Sequence, residues 1–265
     1  MAKALYDEVG GVARKVTKKY AGVAGIARKT TKCYDGVGGV ARQYFGSGMP
    51  AAELAVGSSV YMNVGGVSKE FIVVHKGNPS TSLYDASCDG VWLLMKDIYA
   101  MASWSEGRNK YADSGIQEYL NGTILGLFDD AVQAAIKQVK IPYHNGFGSV
   151  STAIGANGLS TRVFLLSCYE VGWTRSTNNV MPMNDGACLG YFKGISDDKR
   201  VAYYNGTAKT WWLRSPATSD DYSAWAVVSN GTHSAYNCAA NYGIRPAFIL
   251  DNSAMINPET YEIIT

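Results

Sequence analysis

The sequence predicts an α+β domain of short mixed strands and two modest helices, preceded by a small repeat-containing N-terminal region. Three observations carry this. Charged residues are only 17% of the 265, while Gly (29), Tyr (18) and Trp (6) are plentiful, a mixture suited to turn-rich β structure rather than long helices. Short apolar runs alternate with turn signals along most of the chain, and only two stretches beyond the repeats carry helical patterns. A hydrophobic content of 47% is sufficient for a core in a chain of this length.

The repeats come first. Val9-Gly-Gly-Val-Ala-Arg14 recurs as Val23-Ala-Gly-Ile-Ala-Arg28 and as Val37-Gly-Gly-Val-Ala-Arg42, with Tyr6, Tyr20 and Tyr34 at the same period of 14 residues. Two readings compete. Fourteen residues is two heptads, and Val9, Val16 and Val23 would line a weak helical seam. Each unit, however, carries glycines that cost roughly 1 kcal/mol apiece inside a helix. Val12, Arg14, Val16, Lys18 and Tyr20 also alternate with the period of a strand. Short strands joined by Gly turns are the expectation. A unit this small cannot bury its apolar face alone, so packing on copies from other chains is expected, as an oligomeric anchor.

Gly46-Ser-Gly-Met-Pro50 reads as a joint, which places a repeat region at 1–50 and a larger domain at 51–265. Val56–Val64 and Lys69–His75 alternate around Gly65-Gly66 like a hairpin. Val91–Met95 is an apolar run. Ser114 precedes a short helical pattern ending at Leu120, and Asp129–Val139 is the clearest helix, with Val132, Ala135, Ile136 and Val139 on one face. Arg162–Cys168 reads as a buried strand, and short strands and turns follow to the end.

Charge is unevenly placed. Residues 1–48 hold nine Lys/Arg and three Asp/Glu (+6), and the remainder fifteen and nineteen (−4), giving the net +2. The basic residues are interleaved with Val, Ala and Gly, so a nucleic-acid partner is not expected. Five cysteines with no Cys-x-x-Cys pair read as buried thiols, not as a disulfide framework or zinc site. No run reaches the length of a membrane span, and no signal peptide is read at the N-terminus. Synthesis in a cytoplasm is the expectation.

Two apolar flanks, Trp211-Trp-Leu-Arg-Ser-Pro216 and Gly243-Ile-Arg-Pro-Ala-Phe-Ile-Leu250, bracket a different composition. The 26 residues between 217 and 242 contain no Lys, Glu, Gln or Met, and one Trp, Trp225. Ser, Thr, Asn, Asp, Tyr, Ala and Gly dominate, as in a paratope. A polar turn-rich loop has the same composition. Arg214 and Arg245 read as structural, their stems packed and their guanidinium groups bonded to carbonyls or a carboxylate.

The flanks and the polar stretch between them resemble the C-terminus of a C-type-lectin-like family of bacterial and phage genomes. That family has no assigned catalytic activity, and some members are variable proteins of diversity-generating retroelements. Val56-Gly-Ser-Ser-Val60, Tyr119-Leu-Asn-Gly122, Ala134-Ala-Ile136 before Ile141-Pro-Tyr143, and Val163-Phe-Leu-Leu-Ser167 are similar to the same family. The resemblance covers roughly 53–250, most specifically its last 40 residues. In retroelement targets, mutagenised Asn codons scatter to many residue types but never to Lys, Glu, Gln, Met or Trp, and only Trp225 in this segment lies outside that set.

The resemblance implies a C-type-lectin-like ligand-binding domain with a diversified surface. Its contact residues would be Thr218, Ser219, Asp220, Asp221, Tyr222, Ala224, Ala226, Ser229, Asn230, Thr232, His233, Ser234, Tyr236, Asn237, Ala239, Asn241 and Tyr242. Trp211, Trp212, Arg214, Trp225 and Arg245 would be scaffold, as would Val227 and Val228. It further implies a phage or prophage receptor-binding protein on a virion or tail-like particle. The partners would be a host cell-surface protein or glycan at the variable surface and phage structural proteins at the repeats. A homo-oligomer is expected, a trimer being favoured.

Catalytic and metal patterns are thin. His75, His144 and His233 are scattered, and the Asp pairs are adjacent residues, which on a strand face opposite ways. Asn178, Asn179, Asn184 and Asp185 would gather oxygens in a loop, but without a calcium-lectin signature. No phosphate loop or nucleophile elbow occurs. Formylglycine-generating enzymes share the C-type-lectin-like fold, but the spacing of Cys168, Cys188 and Cys238 gives their thiol chemistry no support. The expectation is a binding protein with no catalytic residues, metal or cofactor, with an invariant glycan-binding adhesin as the alternative and an enzyme after that.

Overall fold

The computed structural model describes residues 48–265, except 147, 150, 177, 179, 259 and 265, together with the backbone of six strands among the first 47. Those six pair antiparallel as three hairpins: Tyr6–Val9 with Val12–Lys15, Tyr20–Val23 with Ile26–Lys29, and Cys33–Val37 with Val40–Phe45. Each 14-residue unit is one hairpin, so strand alternation prevails over the heptad reading. The glycines expected in the turns (10, 11, 25, 38 and 39) lie outside the described residues, as do Val16, Gly46, Ser47 and Asn179.

Two five-stranded sheets dominate the rest, beside four two-stranded pairings among the described residues. The first has the order Val163–Phe164, Ala247–Leu250, Val91–Met95, Val67–Lys76, Ser59–Val64, with all neighbours antiparallel. The expected hairpin is its edge. Gly65 and Gly66 take φ of +61° and +83°, the two left-handed residues that a two-residue turn needs to match strand twist. The second has the order Ala100–Ala102, Tyr242–Ile244, Trp211–Pro216, Ser223–Val227, His233–Asn237. Within it, Trp211–Pro216 and Tyr242–Ile244 run parallel and the other neighbours antiparallel. Met49–Pro50 pairs with Met255–Ile256.

Apolar residues on both faces of these sheets are buried, and alternate residues feed two hydrophobic clusters. Val91, Leu93 and Met95 enter one cluster, and Trp92 and Leu94 the other. Trp212 joins the first, and Trp211 and Leu213 the second. The helices cover the first cluster through Ile116, Leu120, Ile124 and Val132. Leu166, Met181, Leu189 and Phe192 fill the second. A sheet covered on both faces has no polar side, which matters for the segment 217–242.

The helices are short. Ser114 caps Gly115–Tyr119 as expected, its Oγ accepting from the Gln117 N–H at 3.3 Å, and the chain continues through a π turn at Leu120–Ile124. The second helix spans Asp130–Ala135 rather than Asp129–Val139. Ile136 turns extended and bridges Leu250, and Val139–Ile141 becomes a strand paired with Leu159–Thr161. Val132, Ile136 and Val139 are nevertheless buried, so the apolar face was read correctly while long-range pairing displaced its helix. Likewise residues 163–168 are buried, but the ladder takes only Val163–Phe164. The described fold is α+β.

Candidate functional site

The two apolar flanks are rigid. Every residue of Trp211–Pro216 is buried. Trp211 Nε1 donates to the Arg200 carbonyl (3.0 Å), Trp212 Nε1 to that of Ala102 (3.0 Å), and Trp104 Nε1 to that of Leu213 (2.8 Å). Each indole thereby satisfies its donor inside the core. The Arg245 guanidinium lies 4.4 Å above the Trp211 ring and donates to the carbonyls of Met95 (3.1 Å) and Lys96 (2.8 Å). Burial pulls it down to about 10.

Arg214 anchors a buried polar network beneath the segment. It meets Glu170 through two bonds, Nη1 to Oε2 (2.5 Å) and Nη2 to Oε1 (2.7 Å), and donates to the carbonyls of Pro142 and Leu165 (3.0 Å each). Tyr84 donates its hydroxyl to Glu170 Oε1 (2.7 Å). Burial alone would pull the Arg214 guanidinium down, but the Glu170 carboxylate outweighs it and holds it above the ordinary range. Asp185 accepts from Ser215 Oγ at 2.5 Å, while its Oδ1 has no partner among the described residues. Burial pushes Asp185 up to about 7 against the pull of Arg214 and Ser215.

The segment between the flanks divides in two. Ser219, Asp221, Tyr222, Asn237, Ala239 and Asn241 are exposed, Tyr222 by 53%. These lie at one end of the second sheet, where the Cys238 N–H donates to the Tyr222 carbonyl (2.8 Å) and Ser223 pairs with Asn237. Thr218 and Asp220 are half-buried beside them. Tyr236 and Tyr242 are also half-buried, their rings 4.8 Å apart, with Tyr242 5.0 Å from Trp212. They form an aromatic step from surface to core. Ser229, Asn230 and Thr232 occupy the turn at the far end of the hairpin, with Ser229 and Asn230 exposed. A five-residue strand, on the order of 16 Å, separates the two groups.

Two expected contact residues are not on the surface. Ala224 and Ala226 are fully buried in the first cluster, and Trp225 and Val227 in the second. Ser223–Val227 is an inner strand of a sheet covered on both faces, so neither parity of side chain reaches solvent. Trp225, read as scaffold, is buried as expected. Ser234 is half-buried on the edge strand. His233 is also half-buried, its ring between those of Trp173 (4.8 Å) and Trp225 (5.6 Å), on the face opposite Tyr236. Burial lowers the affinity of His233 for a proton.

The residue that holds the exposed end is Asn109, which sequence reasoning missed. It is buried, and its Nδ2 lies within hydrogen-bond distance of the carbonyls of Ala217 (2.8 Å), Asp220 (2.9 Å) and Ser223 (2.8 Å). Its own N–H donates to the Asp221 carbonyl (2.8 Å). The loop is thus fastened through its backbone, and the side chains of Ser219, Asp221 and Tyr222 are left outward. Nothing in the sequence marks Asn109. Glu170 was legible in principle, as a lone acid after an apolar run that needs a cation.

The exposed end offers a phenol, carboxylates, hydroxyls and amides, the groups of recognition. Cys88, Cys168, Cys188 and Cys238 are free thiols, and burial pushes those of Cys88 and Cys238 up to about 12. No group of three or more metal-ligating side chains converges among the described residues. Among the described residues no helix is long and apolar enough to cross a membrane. The family described as a domain of unknown function, DUF6273, matches residues 89–252, more than half of the chain. No curated protein matches the chain, and no solved structure does.

Proposed function

The chain belongs to the DUF6273 family, and from that premise we propose that it is a ligand-binding protein presenting a replaceable surface on a C-type-lectin-like scaffold. The surface is the exposed end around Ser219, Asp221, Tyr222, Asn237, Ala239 and Asn241, with the turn at Ser229 and Asn230 as an outlying part. One observation carries this reading: the end is held chiefly by backbone bonds and by Asn109, and of the outward side chains Asn237 adds one local bond, accepting from the Ala239 N–H (2.9 Å). Such side chains can be exchanged at little folding cost, because exposed substitutions usually move stability by under about 0.5 kcal/mol. Tyr222, with Tyr236 and Tyr242 behind it, supplies aromatic anchors, and the polar neighbours exclude water around them.

By the resemblance, such a protein would sit on a phage or prophage particle, diversified by a retroelement and facing a host cell-surface protein or glycan. The three N-terminal hairpins would join copies or structural partners, so several weak sites act together. A trimer follows from the resemblance. The test is genetic. Sequencing the DNA around this gene should find a reverse transcriptase gene and a near-copy of the coding stretch for 217–250. Sister copies should differ at 218–222, 229–230 and 237–241 and keep Ala224, Trp225 and Ala226. Sister copies that vary chiefly in Ser223–Val227 would overturn the reading. Identical copies with no reverse transcriptase gene would favour an invariant adhesin.

A further inference from the structure

We propose that the groove between the helix Gly115–Tyr119 and the strand Leu159–Thr161 is a second ligand site, and that it takes a neutral polyol, the pyranose ring of a glycan. The groove encloses about 570 Å³, within the roughly 300–1,000 Å³ typical of small-molecule sites. Gln117, Asn121, Gln138 and Thr161 line it, with Glu118 on one wall and Leu125 and Leu159 as an apolar strip. This inference stands apart from the replaceable surface and does not depend on it.

The argument is a count of donors and acceptors. Gln117 is more than nine-tenths buried, yet its Oε1 has no partner among the described residues. The orientation of its amide is fixed by its neighbours. Asn121 Oδ1 accepts from the N–H groups of Arg162 and Val163 (3.1 Å each), so it is an oxygen. Thr161 Oγ1 lies 3.1 Å from that oxygen and 2.9 Å from the Val163 carbonyl, and its one hydrogen goes to one of them. Thr161 can therefore only accept from Gln117, which turns Nε2 toward it at 2.8 Å and leaves Oε1 unpaired.

Several of the other donors are engaged. Asn121 Nδ2 donates to the carbonyls of Gln117 (3.1 Å) and Val163 (2.8 Å), and Gln138 Nε2 to Ser160 Oγ (3.0 Å). Arg162 donates to the carbonyls of Gln133 and Ile136 at the end of the second helix. Acceptor capacity is open at the buried Gln117 Oε1, and donor capacity is left on the Arg162 guanidinium and the Ser160 hydroxyl, so the groove suits a ligand that both donates and accepts. An unpaired buried acceptor is relieved by a ligand that donates.

Charge then selects among donors. Asp113 is held by Lys110 at 2.5 Å, and Arg162 offsets Glu118, so the groove carries no excess negative charge that would favour an ammonium. A sugar fits: its hydroxyls donate to the open acceptors, and its C–H face lies on Leu125 and Leu159.

The test is an amide-shift titration of the isotopically labelled full chain. The probes are methyl glycosides of glucose, galactose, mannose and N-acetylglucosamine, with propylammonium chloride as the cationic probe. At least one glycoside should shift the amides of 115–121 and 160–161 saturably. Gln117→Met should weaken that binding about tenfold and Gln138→Ala about two- to threefold. Gln138→Ala lies on the exposed rim and decides the matter if Gln117→Met does not fold. Four results would overturn the proposal: no saturable shift with any glycoside, saturation by propylammonium alone, shifts confined to 219–222, or undiminished binding in a folded Gln117→Met.

Discussion

The apolar strand Ser223–Val227 and the polar loop at its start lie in one segment that, Trp225 apart, draws on the same set of residue types, and the fold treats them in opposite ways. In the strand, Ala224 and Ala226 touch one core and Trp225 and Val227 the other. In the loops, Ser219, Asp221 and Tyr222 face solvent while their backbone is tied to Asn109. Membership of that set therefore does not separate a replaceable residue from a fixed one. The number of covered faces does, together with the destination of the backbone hydrogen bonds.

Substitutions that attack the covered side should have the largest effects. Arg214→Met leaves Glu170 buried without its cation and should cost about 3–5 kcal/mol in denaturant unfolding. Trp212→Ala empties a fully buried site and should cost a similar 3–5 kcal/mol. Ala226→Leu should cost about 1–3 kcal/mol, because the strand has no free face to receive the added atoms. Asn109→Ala should cost about 1–3 kcal/mol and raise hydrogen exchange at 217–223, where three carbonyls lose a shared donor.

A pH series sharpens the contrast from below. In the folded chain Asp185 titrates near 7, and in the unfolded chain near 4. The unfolded state thus releases this proton first as pH rises. The contribution of Asp185 to stability is complete below about 4, declines between 4 and 7, and is gone above that. Asp185→Asn, which mimics the protonated acid, should flatten that decline and be more stable than the parent at pH 8. Equal slopes in the two proteins would contradict the burial of a lone carboxyl oxygen.

The legible parts were those governed by local rules. The Gly65-Gly66 turn, the Ser114 cap, the hairpins of the 14-residue repeats and the burial of both tryptophans of the first flank follow from spacing and residue type. What was not legible came from distant pairing. The helix expected to Val139 stops at Ala135 because Ile136 meets Leu250, over a hundred residues away. Ala224 and Ala226 were placed on the surface by the resemblance, although Ala224–Val228 is a continuous apolar run, the local mark of a strand covered on both faces. Asn109 and the amide groove around Gln117 depend wholly on partners brought in by the fold.

Thermal unfolding of two multiple variants weighs the central claim most directly. One replaces Ser219, Asp221, Tyr222, Asn237 and Asn241 together, and the other replaces Ala224 and Ala226 with aspartate. The first should melt within a few degrees of the parent, and the second should lose its cooperative transition. A fall of more than roughly 10 °C in the five-site variant would contradict an outward patch held from behind.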